Sequence, residues 1–499
     1  MRNDYVKVIE DYISQKPEYR STLNELKNDV ISAGATEEEF EEAVRQATGY
    51  HPSMLQQSLN NLKEPLSQKQ YRPAQSLISR IVHSISLRER LLVYLFASSL
   101  FFLSYFIFTS STYTKTDPSE NLANAPTPAL EKQPLNLNIV REVYANLKPI
   151  DPSKTFSTPK SNVPLVVTGK PKKEVFGFLP YWMLPKAQEI DLSLLTSVSI
   201  FGLETDGKGD IVTVSSTNEV DSGWQMWKDP ALDQFIRRAR DKNVKVFLTI
   251  KAFNNDNIEK LVLSDDSQKS LIANVLYLFS SKNLNGINLD FEYVGTPIEK
   301  TRLGFTRLVT NLNAELKRQY PESQLTIDTY ATEGNIPRLI DLKSLDDHVD
   351  AFVVMGYDFH TIEGDPGPIA PMGGEINIVG SIQGYLEKIK PEKIILALPY
   401  YGYDWPTKGE GEGAILSYSV IIAESNKHAI TWNDTWQTPS YTYIDKGVER
   451  TVHFDNVRSM GIKFDFAIAK NLKGIGIWAL GYDGYNSDLQ RLIIDKFSN

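Results

Sequence analysis

The chain has 499 residues, 41% hydrophobic and 23% charged, which excludes a wholly disordered or collagen-like polymer and, at roughly 150 residues per domain, requires more than one folding unit. A net charge of -9 at pH 7 argues against nucleic acid as a partner, because phosphate binders carry clustered excess Lys and Arg. Cysteine is absent, which removes disulfides, thiolate nucleophiles and Cys-ligated metals. The six histidines show no HExxH or similar spacing, so neither metal nor cofactor is expected.

Residues 1–48 read as a small helical module. Val6, Ile9 and Ile13 recur at helical spacing, and Thr22 with Glu25 and Thr36 with Glu39 have capping-box spacing. No chemistry is evident there, and a cytoplasmic partner for these helices is left unidentified. Residues 49–90 form a polar connection.

From Leu91 to Phe108 the chain runs 18 residues without a charge, apolar on all faces. At 1.5 Å per residue this reaches roughly 27 Å, about the hydrocarbon thickness of a bilayer, so 91–113 is expected to be a transmembrane helix. Lys69, Arg72, Arg80, Arg88 and Arg90 precede it, and only Lys115 follows within a comparable distance. That asymmetry predicts a single-pass protein of the cell membrane, N-terminus cytoplasmic and C-terminal bulk extracytoplasmic. Residues 114–172 are rich in proline, with Gly169 the only glycine, and read as a semi-rigid spacer.

From Lys173 short β-branched runs alternate with helical patterns. Strands are predicted at Val175–Leu179, Ser197–Gly202, Val244–Ile250, Gly286–Phe291, Leu325–Tyr330, Ala351–Met355, Ile394–Leu398 and Gly474–Ala479. Helices are predicted at Pro230–Lys242, Asp266–Lys282, Lys300–Tyr320, Ile382–Lys390, Asp455–Leu472 and Ser487–Phe497. Eight strands alternating with helices predict an α/β fold, a (β/α)8 TIM barrel over 173–499. The span exceeds the usual barrel length, and the polar stretch 403–450 reads as an insertion after the seventh strand.

The fourth strand holds the chemistry. In the run Gly286-Ile287-Asn288-Leu289-Asp290-Phe291-Glu292, alternation sends Asn288, Asp290 and Glu292 to one side and Ile287, Leu289 and Phe291 to the other. In a barrel the polar set lines the interior, with Glu292 at the C-terminal mouth where barrel enzymes keep their chemistry. Spacing alone leaves open a polar strand end without function.

This run resembles the DGxDxDxE signature of glycoside hydrolase family 18, the chitinase-like barrels. Asn285-Gly286 stands for Asp-Gly, Asn288 replaces the first inward Asp, and Asp290 and Glu292 match. Gly177-Phe178-Leu179-Pro180-Tyr181-Trp182 resembles the first-strand segment, Met355-Gly356-Tyr357-Asp358 the sixth-strand MxYD, and Leu398–Trp405 the seventh strand. Trp478 holds the place of the eighth-strand tryptophan. The NxDxE variant and the Tyr-Gly-Tyr-Asp-Trp run are most similar to the subgroup linked to peptidoglycan and spore-cortex hydrolysis.

The resemblance implies a substrate-assisted retaining glycosidase acting on β-1,4 linkages of an N-acetylglucosamine-containing polysaccharide. It implies Glu292 as general acid and base, with the substrate's own acetamide oxygen as nucleophile. Asp290 would orient that acetamide and Tyr357 would hydrogen-bond its oxygen. Met355 and Asp358 would shape the sugar site, Trp478 would form its floor, and Tyr181, Trp182 and Tyr401 are further substrate-binding candidates beside Asn288. With a net negative chain, aromatic stacking is expected to supply much of the affinity for an acidic wall.

Two departures stand out. Asn288 cannot titrate, so Asp290 loses a partner with which to share a proton. The third-strand SxGG pattern is missing, and Lys251 near the mouth reads as a solvated charge. The Gly409–Gly413 run reads as a flexible turn, and His348, His360 and His453 as ordinary hydrogen-bonded histidines. The rival functional readings are a silent, lectin-like carbohydrate-binding barrel and a wall-sensing membrane protein.

Overall fold

A computed structural model describes residues 150–157, 169–215, 217–409 and 411–498. The helical module at 1–48, the connection at 49–90, the transmembrane helix at 91–113 and most of the spacer at 114–172 lie outside the described residues. Among the described residues no helix is long and apolar enough to cross a membrane.

Eight parallel strands close into a barrel: β1 (Glu174–Pro180), β2 (Ser197–Glu204), β3 (Lys245–Ala252), β4 (Gly286–Phe291), β5 (Gln324–Tyr330), β6 (Ala351–Met355), β7 (Ile394–Pro399) and β13 (Gly474–Trp478), with β1 pairing both β2 and β13. Each strand sits within two residues of its predicted position at either end, because runs such as Val-Phe-Leu-Thr-Ile have too little polar alternation for any surface element. Helices cover the outside. Pro230–Asp241 shows how: Asp229 caps it by accepting from the Ala231 N–H at 2.8 Å, and Leu232, Phe235, Ile236 and Ala239 fall on one buried stripe. The helices Ser222–Lys228 and Asn255–Leu263 were not expected. The first is seven residues long and carries Gly223, which blurs any periodicity.

The barrel interior is divided. One side is an apolar cluster of Phe176, Phe178, Phe201, Phe247, Ala351, Val353, Ile395 and Ala397. Gly286 makes room for it: a Cβ there would lie 2.2 Å from the Phe247 ring. The other side is a polar row across four strands. Ser199 and Thr249 share a hydroxyl hydrogen bond of 2.7 Å, Asn288 donates to Thr249 at 3.3 Å, and Thr326 donates to Asn288 at 2.6 Å.

Between β7 and β13 the chain builds an antiparallel sheet in the order β10-β11-β12-β8-β9, from β8 (Tyr401–Lys408), β9 (Ala414–Ser417), β10 (Thr431–Asn433), β11 (Thr438–Asp445) and β12 (Val448–His453). A glycine-rich Tyr/Trp sequence gave only a polar insertion; the sheet arises from pairings such as Tyr441 with Val452 that periodicity does not announce.

The spacer expectation changes at residues 150–157. Pro152–Thr155 is a helical turn with Pro152 in its first turn and Asp151 as cap. Thr155 and Phe156 are buried, Phe156 stands edge-on to Tyr485 at 5.1 Å, and the Ser419 hydroxyl donates to the Thr155 carbonyl at 2.8 Å. This stretch is docked on the barrel, because its apolar Phe156 finds a pocket that composition cannot reveal.

Candidate active site

Asn288 and Asp290 are buried on the inward face of β4, and Glu292 is half-buried one residue beyond its end. The Glu292 backbone N–H still bonds to the Ala252 carbonyl at 3.0 Å, so the residue is held in line with the strand. Its carboxylate accepts from the Tyr330 hydroxyl, and Tyr330 ends β5. Burial, then the Glu292 charge, push the Tyr330 phenol well above its ordinary range. Glu292 therefore faces the barrel mouth and not the outer helices.

The amide of Asn288 is fully committed. Its oxygen accepts from Thr326, and its nitrogen donates to Thr249 and, at 2.7 Å, to Asp328 Oδ2. Asp328 is 5% exposed; burial pushes its carboxyl up, the Asn288 hydrogen bond opposes that, and the Glu292 charge adds to it.

Tyr357 follows β6, and its ring stands edge-on to Tyr401 at 6.2 Å. Burial, then the charges of Asp328, Asp358, Asp290 and Glu292, hold its phenol protonated and thus a hydrogen-bond donor. Met355 closes β6, in register with Tyr330. Asp358 sits at φ +57°, a left-handed conformation that few side chains tolerate, and accepts from Tyr401 at 2.5 Å and Tyr403 at 2.7 Å. Tyr401 is 4% exposed. It was expected to meet sugar, but it supports Asp358 and offers little ring surface.

Trp478 ends β13 and is half-buried, its ring edge-on to Phe201 at 4.6 Å and to Trp182 at 6.4 Å. Trp182 donates its indole N–H to the Tyr482 hydroxyl at 3.0 Å, and Tyr181 packs edge-on to Trp182 at 4.7 Å. All ten residues singled out from the sequence thus fall on the C-terminal ends of β1, β4, β6, β7 and β13 or the residues just beyond them, Asn288 one layer below the mouth.

Lys251 corrects the sequence reading. Its side chain is 14% exposed, not solvated, and lies 3.9 Å from Glu204 with the Phe253 ring at 5.5 Å. Along β3 the side chains of Phe247 and Thr249 point inward, so Lys251 does too, in register with Asp290.

Three further residues were missed: Asp328, Tyr330 and Glu333. The first two were within reach, since Thr326, Asp328 and Tyr330 share a parity on a predicted strand. Glu333 lies in a 3-10 turn after β5, where no periodicity applies. It is 3% exposed, accepts from the Ile340 N–H at 2.9 Å, and burial pushes its carboxyl up to about 7. Arg338 beside it stacks over Tyr330 at 5.2 Å.

A closed parallel barrel with carboxyl groups converging on its C-terminal mouth defines a class, the barrel hydrolases. The model of glycosyl hydrolases family 18 matches residues 175–483, and the chain belongs to that family: it is a glycoside hydrolase. It is 27% identical over 322 residues to the glycosylase YdhD of Bacillus subtilis (strain 168), an alignment covering 61% of this chain and 72% of the relative. It is 26% identical over 273 residues to a cortical fragment-lytic enzyme of Bacillus anthracis, covering 52% of this chain and 62% of that one. Its fold is similar to the crystal structure of the Bacillus cereus spore cortex-lytic enzyme SleL, with a TM-score of 0.54 and 21% identity over 69% of this chain and 83% of the other.

Proposed function

We propose that the protein is a membrane-anchored glycosidase that hydrolyses β-1,4 linkages of an N-acetylglucosamine-containing glycan outside the cytoplasm, with peptidoglycan as its polymer. The observation that carries this is the convergence of Glu292, Asp290 and Tyr357 on one mouth, the acid held by Tyr330 and the phenol kept protonated. Glu292 protonates the glycosidic oxygen as the substrate's acetamide oxygen attacks the anomeric carbon. Asp290 orients the acetamide and stabilises positive charge on its nitrogen. Tyr357 donates to the acetamide oxygen, and Trp478 lies under the sugar ring. Glu292, now ionised, takes a proton from the water that opens the cyclic intermediate, so retention follows without a protein nucleophile.

Two observations favour a wall polymer over chitin. The Bacillus anthracis relative is named as a cortical fragment-lytic enzyme. Lys251, the inward cation beside Asp290, makes no side-chain hydrogen bond among the described residues, its ammonium standing 3.9 Å from Glu204. A carboxylate-bearing amino sugar would occupy its donors. Anchoring through 91–113 is supported by the uncharged run and the five-to-one flanking charge.

The test is product analysis by mass spectrometry after incubating the full chain with purified peptidoglycan or chitin oligomers. The expected result is release of reducing ends from peptidoglycan with an intact N-acetyl group at the new terminus. Binding without release from either polymer would establish the lectin-like reading instead.

A further inference from the structure

Asp328 carries no step of this reaction, yet it is buried beside the residues that do. Thr326 donates to Asn288 and so points inward; by strand alternation Asp328 points inward as well. The β4–β5 register pairs Asn288 with Thr326 and Leu289 with Ile327, which puts Asp290 and Asp328 level on adjacent strands. Strands lie about 4.8 Å apart, so two inward carboxyls at one level are neighbours.

Asp328 Oδ2 accepts from Asn288, whose amide cannot turn because Thr326 holds its other end. Asp328 Oδ1 is buried and, among the described residues, accepts no hydrogen bond. The Asn288 amide and the Glu292 charge act on this carboxyl from β4 and its end, its own charge acts on Tyr357 beyond β6, and the register sets Asp290 level with it. The ionisable groups acting on Asp328 itself are acids and phenols, while the one cation of this layer, Lys251 on β3, stands level with Asp290 and favours that carboxyl as the ionised member of the pair. Two ionised carboxylates in such a place repel strongly, and one proton between them removes the conflict.

We propose that Asp328 is a positioning residue of the hydrolase, the cross-strand carboxyl with which Asp290 shares one proton. Asn288 has no proton to share along β4, and Asp328 takes that part from β5. The inference rests on the reading of Asp290 as the residue that orients the acetamide. While the acetamide is uncharged, the proton lies between the two carboxyls. As positive charge develops on the acetamide nitrogen, it settles on Asp328 and leaves Asp290 ionised. No proton enters or leaves the pair. Burial of Asp328 and the Glu292 charge both favour its protonated form.

The experiment uses the full chain in three forms. Asp328→Asn is expected to lower kcat about 30-fold or more, leave KM within about threefold, and change the acidic limb of the kcat/KM profile. The swap Asn288→Asp/Asp328→Asn returns the titratable partner to β4 and is expected to regain about tenfold over the single variant. An unchanged kcat and pH profile in Asp328→Asn, or a swap no better than the single variant, overturns the proposal. Should Asp328→Asn fail to fold, carbon-13 NMR of aspartate-labelled chain decides, in an Asp483→Asn background that removes a second buried aspartate, one whose carboxyl burial pushes up to about 7. One aspartate carboxyl must stay protonated at about pH 6, far above its ordinary range; none protonated overturns the proposal. This last readout needs no turnover. If the unmutated chain cleaves no N-acetylated glycan, the functional reading fails while the shared proton is still tested.

Discussion

Carboxylates are buried in two regions of this molecule and are treated in opposite ways. In the inserted sheet Asp404 is 4% exposed and receives Arg450 Nε at 3.0 Å on both oxygens and the Tyr443 hydroxyl at 2.8 Å. At the barrel mouth Asp328 is as deeply buried, and its hydrogen-bond donor among the described residues is an amide. A carboxylate buried with a cation hydrogen-bonded across both its oxygens is neutralised and inert, a structural device. A carboxylate buried among other acids keeps proton-binding chemistry available near neutral pH. The difference separates architecture from reactivity without reference to any motif.

That contrast can be broken most directly at Glu292. Replacing it by Gln keeps its shape and the Tyr330 contact but removes the proton. Turnover is expected to fall by about a thousandfold while glycan binding persists, read by reducing-end release against pull-down on the polymer. Near-normal turnover would reject the assigned acid. On the architectural side, Arg450→Met leaves Asp404 buried without its cation. The expected cost is about 3 kcal/mol of stability, measured by denaturant unfolding, with the catalytic constants of the folded fraction unchanged.

Glu333, a third buried carboxyl, makes stability depend on pH. Its carboxyl is raised from 4.5 to about 7, so the folded protein binds that proton more tightly than the unfolded chain. Stability from this group is therefore complete below the unfolded value and falls as pH rises through about 7. Glu333→Gln mimics the protonated form and is expected to raise stability at about pH 8 by up to roughly 2–3 kcal/mol, with no gain at about pH 4, in paired thermal melts. A gain of equal size at both pH values would assign the effect to packing.

Smaller effects should follow at the rim. Tyr330→Phe removes one hydrogen bond to Glu292 and is expected to lower kcat/KM about tenfold, with a changed pH profile. Lys251→Met should reduce the preference for peptidoglycan over chitin oligomers by about threefold to tenfold, leaving turnover of the neutral oligomer unaffected. Equal losses on both substrates would remove Lys251 from recognition.

Much of this site was legible in the chain. Strand alternation alone put Asn288, Asp290 and Glu292 on one face, and the eight-strand count placed Glu292 at the catalytic end. What alternation cannot supply is which strands lie side by side and at what height. Asp328 and Tyr330 had the right parity on a predicted strand, but their meeting with Asn288 and Glu292 depends on the β4–β5 register. Lys251 reads as a solvated charge in the sequence because nothing local reveals that Glu204, from the adjacent strand, stands beside it.

By itself the sequence determined the period of each element, the side on which each residue of a strand falls, and the number of strands in the ring. These are local properties, set by backbone geometry and by the need to bury apolar side chains. The tertiary structure alone decided which buried acids bond a cation and which do not, that Tyr401 supports Asp358, and that residues 150–157 dock on the barrel. Those outcomes depend on distances of a few ångströms between segments far apart in the chain, and electrostatic and packing energies change steeply over such distances.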